Sequence, residues 1–283
     1  MAKGFLNSGF HEDSLKRYAN QYIVYKFNES INFAKITEIH CDIFRENKEP
    51  IHKIKAMTLI ELIILASDIL DDIQDKDATD VPWSEVDDAF NLNVVFGILT
   101  ICMKECDGVT GEKETRWIQN KIYNLILQSI SGQQIDLNNK LNSENDYVEM
   151  CQMKSGSLIQ LACLLGTGKV DEEMSRNIEE YSNYLGVIFQ LRNDVADLHS
   201  GFIKSDIVLK KRTLPVIYYL NTKDEVYKSI QDYYLKNSTT HDPEVIHQEL
   251  LSGDALLYCS IVEEVFIHSL KESFENLNIA RDL

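Results

Sequence analysis

Hydrophobic positions recur every three to four residues along almost the whole chain, the spacing of helices that bury one face. The pattern predicts helices over 12–26, 30–47, 52–76, 84–106, 114–138, 144–166, 172–199, 212–221, 223–236, 243–251 and 253–277. Four prolines and twelve glycines are few breakers for 283 residues, so an all-α chain is expected. Several boundaries have a chemical cause. Ser84 with Asp87, and Ser143 with Asp146, have capping-box spacing ahead of apolar runs. Gly168 falls where a left-handed cap closes a helix ending near Leu165. Asp242 before Pro243 reads as an N-cap followed by Pro at the first helical position. The longer predicted loops are 76–83, 107–113 and 200–211. No linker-like stretch divides the chain, so residues 1–283 read as a single domain.

One stretch breaks the simple amphipathic rule. "LIELIILASDILDDIQDKD" (59–77) begins as core and fills with acids. Asp68, Asp71, Asp72 and Asp75 stand at i, i+3, i+4 and i+7, so they share a helix face and repel one another. "FQLRNDVADL" (189–198) repeats the spacing with Gln190, Asn193, Asp194 and Asp197, again after an apolar run, "YSNYLGVIF". Either stripe alone is equally a solvated face of an acidic protein. Two together fit another chemistry. Carboxylates suit hard divalent cations, Mg²⁺ takes one or two of them plus substrate phosphates, and helical bundles build such sites from facing helices. A diphosphate also takes cationic donors. Lys154 lies in "CQMKSGSLIQLACLLG" (151–166), and Lys204, Lys210, Lys211 and Arg212 lie in "GFIKSDIVLKKRTLP" (201–215). Surface solubility is the alternative for each lysine.

Composition narrows the classes. A net charge of −17 argues against nucleic-acid binding and against docking on anionic lipid. The six cysteines form no CxxC pair and the histidines no HExxH, so reduced, buried thiols in a cytoplasmic protein are expected, with no zinc site. The N-terminus lacks a signal-peptide core. The longest apolar run, 57–70, carries Glu61 and Asp68 and is too short to span a bilayer, so no membrane segment is expected.

Five motifs in order then resemble the trans-isoprenyl diphosphate synthases. "DDIQD" (71–75) is similar to that family's first aspartate-rich motif, and "GQQIDL" (132–137) to its Gly-Gln-x-x-Asp helix. "KSGSLIQLACLLG" (154–166) resembles its Lys-Thr helix with Ser155 for Thr, and "LGVIFQLRNDVAD" (185–197) its second aspartate-rich segment with Asn193 for the first Asp. "KSDIVLKKRTLP" (204–215) resembles the closing loop. The resemblance spans about residues 50 to 221 and implies an all-α isoprenoid synthase fold, a helical bundle around a central cavity. Two features depart from it. The Arg pair that follows the family's first motif is replaced by "KDATDVPWSEV", and the Gly-Lys-Arg signature is absent where 28–40 reads "NESINFAKITEIH". In the family these residues help bind isopentenyl diphosphate. Their loss, with Trp83 after the first motif, resembles a branch that moves a geranyl or farnesyl group to a Trp of a competence (quorum-sensing) pheromone precursor peptide.

The resemblance implies a Mg²⁺-dependent prenyltransferase that ionises a prenyl diphosphate to an allylic cation. It places Asp71 and Asp75 as ligands from one stripe and Asn193, with Gln190 and Asp194 in support, from the other. Asp72 and Asp197 ligate or hold water. Lys154, Lys204 and Lys211 grip the diphosphate. Ala66 and Ser67 set the depth of the prenyl pocket, with ordinary helix packing as their alternative, and Gln133 and Asp136 line it. Family precedent implies a homodimer. The competing readings are a short-chain prenyl diphosphate synthase, a non-catalytic partner subunit of a synthase and, more remotely, a terpene cyclase.

Overall fold

The computed structural model describes residues 1–29, 31–45, 50–76, 80–106, 112–200, 206–235 and 242–276. All regular structure among them is helical. The elements are α1 (Ala2–Gly9), α2 (Asp13–Glu29), α3 (Asn32–Phe44), α4 (Pro50–Asp75), α5 (Asp88–Glu105), α6 (Glu112–Asn138), α7 (Glu144–Cys151), α8 (Ser157–Thr167), α9 (Glu172–Ser200), α10 (Leu214–Asn221), α11 (Lys228–Leu235), α12 (Pro243–Ser252) and α13 (Ala255–Asn276). A π turn, Gln152–Gly156, joins α7 to α8, and a 3₁₀ turn, Glu225–Tyr227, precedes α11.

The expected caps divide into those that form and one that does not. Ser143 and Asp146 make the full reciprocal capping box of α7. Asp242 caps α12, whose first residue is Pro243. Gly168 has φ +79°, the left-handed region. The helix expected from residue 84 instead starts at Asp88. There Asp87 is the N-cap, accepting from the Ala89 N–H, while the Ser84 hydroxyl donates to the Val81 carbonyl. The expected helix 144–166 carries the π turn, and α1 was not expected; eight residues give too short a window for periodicity to register.

The chain divides into two compact units, residues 1–127 with 158–178, and residues 128–157 with 179–283. In the first, α4 is the central element, packed on both α3 and α5. Every residue from Leu59 to Ala66 is buried, so this helix is covered on all sides. Glu61, 1% exposed in that run, is explained by a cap. The N-cap of helix α3, Ile31, makes no side-chain cap bond, and the Glu61 Oε1 accepts the Ala34 N–H at 2.7 Å. Burial holds the Glu61 carboxyl above the usual carboxylate range. Across the same unit the Thr37 hydroxyl donates to the Ala162 carbonyl at 2.9 Å.

The second unit has two apolar clusters. One gathers Tyr147, Met150, Cys151, Val187, Leu191, Leu214 and Cys259; the other gathers Leu198, Ile207, Tyr219, Ile230, Tyr233 and Leu250. All six cysteines of the chain are buried, as the sequence led us to expect. No helix among the described residues is long and apolar enough to cross a membrane.

Candidate active site

The first stripe lies at the end of α4, in the first unit, with its four acids half-buried. Two of them are held by donors from elsewhere in that unit. Lys26 of α2 reaches Asp68 Oδ2 at 2.6 Å, and the Trp83 Nε1–H donates to Asp72 Oδ2, also at 2.6 Å. These donors differ in kind. The lysine cancels a charge, whereas the indole orients a carboxylate and leaves its charge in place. A cavity of about 210 Å³ is lined by Asp72, Ile73, Lys76, Trp83, Ser84, Asp88 and Asn91. Ala66 is fully buried one turn and more before Asp71, and the Ser67 hydroxyl is turned onto the Ile63 carbonyl.

The second stripe lies in α9, within the second unit, and its members part company. Asn193 and Asp197 are exposed, Gln190 is half-buried, and Asp194 is buried at 6% exposure. Asp194 Oδ2 accepts from the Tyr147 hydroxyl at 2.6 Å, and Oδ1 from Gln190 Nε2 at 2.9 Å. Gln190 Oε1 in turn accepts from the Ser155 hydroxyl at 3.1 Å. Burial pushes the Asp194 carboxyl up to about 7; the bonds from Tyr147 and Gln190 pull the other way, and the charges of Asp206 and Asp136 add to the rise.

Lys154 stands in the π turn, a helix irregularity that often marks functional sites. Its Nζ pairs with Asp136 Oδ2 at 2.9 Å, and its carbonyl accepts from the Ser129 hydroxyl at 2.8 Å. Gly132 lies between Ser129 and Asp136 on the same face of α6. A Cβ there would meet the Lys154 backbone N at 2.3 Å. The Gly-Gln-x-x-Asp pattern thus has a physical basis: a glycine for backbone contact and an acid one turn later for the lysine. On the π turn's other side, a Cβ on Gly186 would meet the Gly156 N at 2.4 Å. Gln133, expected to line the prenyl pocket, is half-buried.

Lys211 pairs with Asp206 at 3.4 Å, and both side chains are largely buried. Burial raises the Asp206 carboxyl, and Lys211 partly offsets that. The turn that carries the lysine is clamped by Asn139. Its Nδ2 donates to the Lys210 carbonyl at 2.7 Å, and its Oδ1 accepts the Arg212 N–H at 2.8 Å. Asn139 holds φ 51°, a conformation Asn tolerates better than most residues. Asn139→Ala therefore loses two hydrogen bonds and adds strain, for an expected cost of about 1–3 kcal/mol. Thermal melts should show a lower Tm; an unchanged one would mean the turn holds without the clamp. Lys204 lies outside the described residues.

The sequence reading had no role for Lys26, Asn139, Tyr147 or Asp206, and it used Trp83 only as a mark of the branch. Asp206 sits inside a recognised motif, but the others are residues of common type far from their partners in the chain. Among the described residues, no group of three or more His, Cys, Asp or Glu side chains forms an all-protein metal cage. Mg²⁺ does not require one, since it is commonly held by one or two carboxylates with substrate phosphates. Carboxylates on one helix face, oriented by second partners as Asp72 and Asp194 are, fit that mode.

Residues 23–250 match the family model described as polyprenyl synthetase. The tryptophan prenyltransferase ComQ of Bacillus subtilis subsp. natto is 28% identical over 90% of this chain and 79% of its own. The ComQ of Bacillus subtilis strain 168 is 28% identical over 92% and 88%. Among solved structures, the polyprenyl synthase of Caulobacter crescentus, complexed with calcium and isoprenyl diphosphate, superposes with a TM-score of 0.79 over 96% of this chain and 86% of that one, at 15% identity. The helices are thus those of the isoprenyl diphosphate synthase fold.

Proposed function

Because the chain belongs to the polyprenyl synthetase family, we propose that it transfers a geranyl or farnesyl group from its diphosphate to a tryptophan of a pheromone precursor peptide. The observation that carries this reading is the similarity to tryptophan prenyltransferases along about nine-tenths of the chain. It agrees with the lost Arg pair and Gly-Lys-Arg signature, since an acceptor without a diphosphate has no use for them.

In this reading Asp71, Asp72 and Asp75 of α4, and Gln190, Asn193, Asp194 and Asp197 of α9, are the groups that hold Mg²⁺. When bound, Mg²⁺ neutralises charge on the diphosphate as it leaves. Lys154 and Lys211 exchange their carboxylate partners, Asp136 and Asp206, for diphosphate oxygens, and Lys204 joins them. Such preorganised donors stabilise the charge that grows as the allylic C–O bond breaks and its electron pair departs with the diphosphate. An indole carbon of the acceptor supplies the pair for the new C–C bond, and the indole then gives up a proton. Ala66 and Ser67 of α4 set the depth of the pocket that takes the prenyl tail.

The test mixes the protein with Mg²⁺, geranyl or farnesyl diphosphate and a Trp-containing precursor peptide, read by mass spectrometry. A peptide gain of one prenyl unit is expected, and Asp71→Asn should lower its rate by about 100-fold or more. Full activity of both Asp71→Asn and Asp194→Asn would sink the metal assignment. Incorporation of labelled isopentenyl diphosphate into longer chains would instead mark a chain-elongating synthase.

A further inference from the structure

Trp83 is better built in than a residue that only fills space requires. The indole is 4% exposed and stands edge-on to Tyr22 and Tyr25 of α2, with ring centroids 5.5 Å away in each case and interplanar angles of 76° and 88°. Its backbone is fixed as well. Asn91 of α5, 1% exposed, donates from Nδ2 to the Trp83 carbonyl at 2.9 Å and to the Val86 carbonyl at 3.1 Å, while its Oδ1 accepts from the Tyr22 hydroxyl at 2.6 Å. Every hydrogen-bonding group of the Asn91 amide is therefore engaged in holding this corner. What the corner presents is one N–H, aimed at Asp72 Oδ2.

We propose that Trp83 is a positioning residue for the first acidic stripe, in which Tyr22, Tyr25 and Asn91 hold the indole so that its N–H fixes the rotamer of Asp72 for Mg²⁺–diphosphate binding. The proposal rests on the prenyltransferase reading and goes beyond it. A neutral donor suits the task. A carboxylate on a mutually repelling stripe turns toward solvent unless something holds it. A lysine would hold it by cancelling the charge a metal needs, as Lys26 does at Asp68. The indole, a neutral donor, holds it without adding a positive charge of its own. Outer partners of this sort typically contribute 10- to 100-fold to metal affinity.

Trp83→Phe keeps an aromatic ring against Tyr22 and Tyr25 and removes the donor together with part of the indole's buried volume. Calorimetric titration of Mg²⁺ in the presence of geranyl diphosphate, with no acceptor peptide, should show the half-saturating Mg²⁺ concentration rising about 10-fold in this variant. A second measurement does not depend on how well that variant folds. The chain has two tryptophans, so in Trp117→Phe the emission comes from Trp83 alone. That emission should shift as Mg²⁺ is added with geranyl diphosphate, saturating at the calorimetric concentration. Equal Mg²⁺ affinity in wild type and a folded Trp83→Phe, or a Trp83 emission indifferent to a binding event that calorimetry records, overturns the positioning role alone. No Mg²⁺-dependent binding of geranyl diphosphate by the wild type overturns the transferase reading with it.

Discussion

Asp194→Asn is expected to make the protein more stable above pH 7 and to cut prenyl transfer by about 10- to 100-fold or more. The two effects share a cause. Burial is the main reason the Asp194 carboxyl titrates near 7 rather than near 4. A carboxylic acid with a raised folded-state pKa binds more protons folded than unfolded between those two values. Stability therefore falls as pH rises from about 4 to about 7, by up to about 1.4 kcal/mol per pH unit, and the loss is complete above the folded pKa. Asparagine has no charge to bury and keeps the shape. Its oxygen accepts from one of the two donors, and its amide donates to the Tyr147 hydroxyl. The difference in Tm between variant and wild type, measured in EDTA, should open above about pH 4, grow to about pH 7 and then level off, at about 2–4 °C per kcal/mol. A variant less stable than wild type at every pH would show that the ionised carboxylate stabilises the fold. A variant with full activity would show that the carboxylate is not used. Gain in stability with loss of activity is the signature of a charge kept in the core for its function.

Gly132→Ala should destabilise the protein although Gly→Ala in mid-helix is worth about 1 kcal/mol in the opposite direction. The added methyl would lie 2.3 Å from the Lys154 N and 2.7 Å from both the Lys154 Cα and the Met153 carbonyl carbon, all backbone atoms. Backbone cannot rotate aside as a flexible side chain can, so α6 and the π turn must separate. Overpacking of this kind costs typically about 1–3 kcal/mol, enough to outweigh helix propensity. The same shift strains the Ser129 and Asp136 contacts to Lys154, so the apparent KM for prenyl diphosphate should rise as Tm falls. Ser129→Ala, which loses one hydrogen bond worth about 1 kcal/mol, should move Tm less. An unchanged Tm in Gly132→Ala would mean the helices have room to spare here.

Much of this molecule was legible in one dimension because helices are local. A 3.6-residue period, a capping box at Ser143 and Asp146, and a glycine at 168 each depend on neighbours within about four residues, and each appears as expected. The acidic stripes were legible for the same reason, since residues at i, i+3, i+4 and i+7 share a face wherever the helix goes. The helix start at 84 misled because Ser84 and Asp87 compete for one cap, and only the path of the chain through Val81–Val86 gives it to Asp87.

What a side chain does on its stripe was decided by partners distant in sequence. Asp68 and Asp72 are four residues apart and chemically identical. One meets an ammonium from α2 and the other an indole N–H from the turn before α5. Asn193 and Asp194 are adjacent, yet α9 exposes the first and buries the second against Tyr147. The sequence by itself determined an all-helical chain, two acidic stripes and the order of the family's motifs, because these follow from local spacing and residue type. Only the tertiary structure decided which acids are paired, oriented or driven toward neutrality, because hydrogen bonds and burial depend on which groups folding brings within about 3 Å.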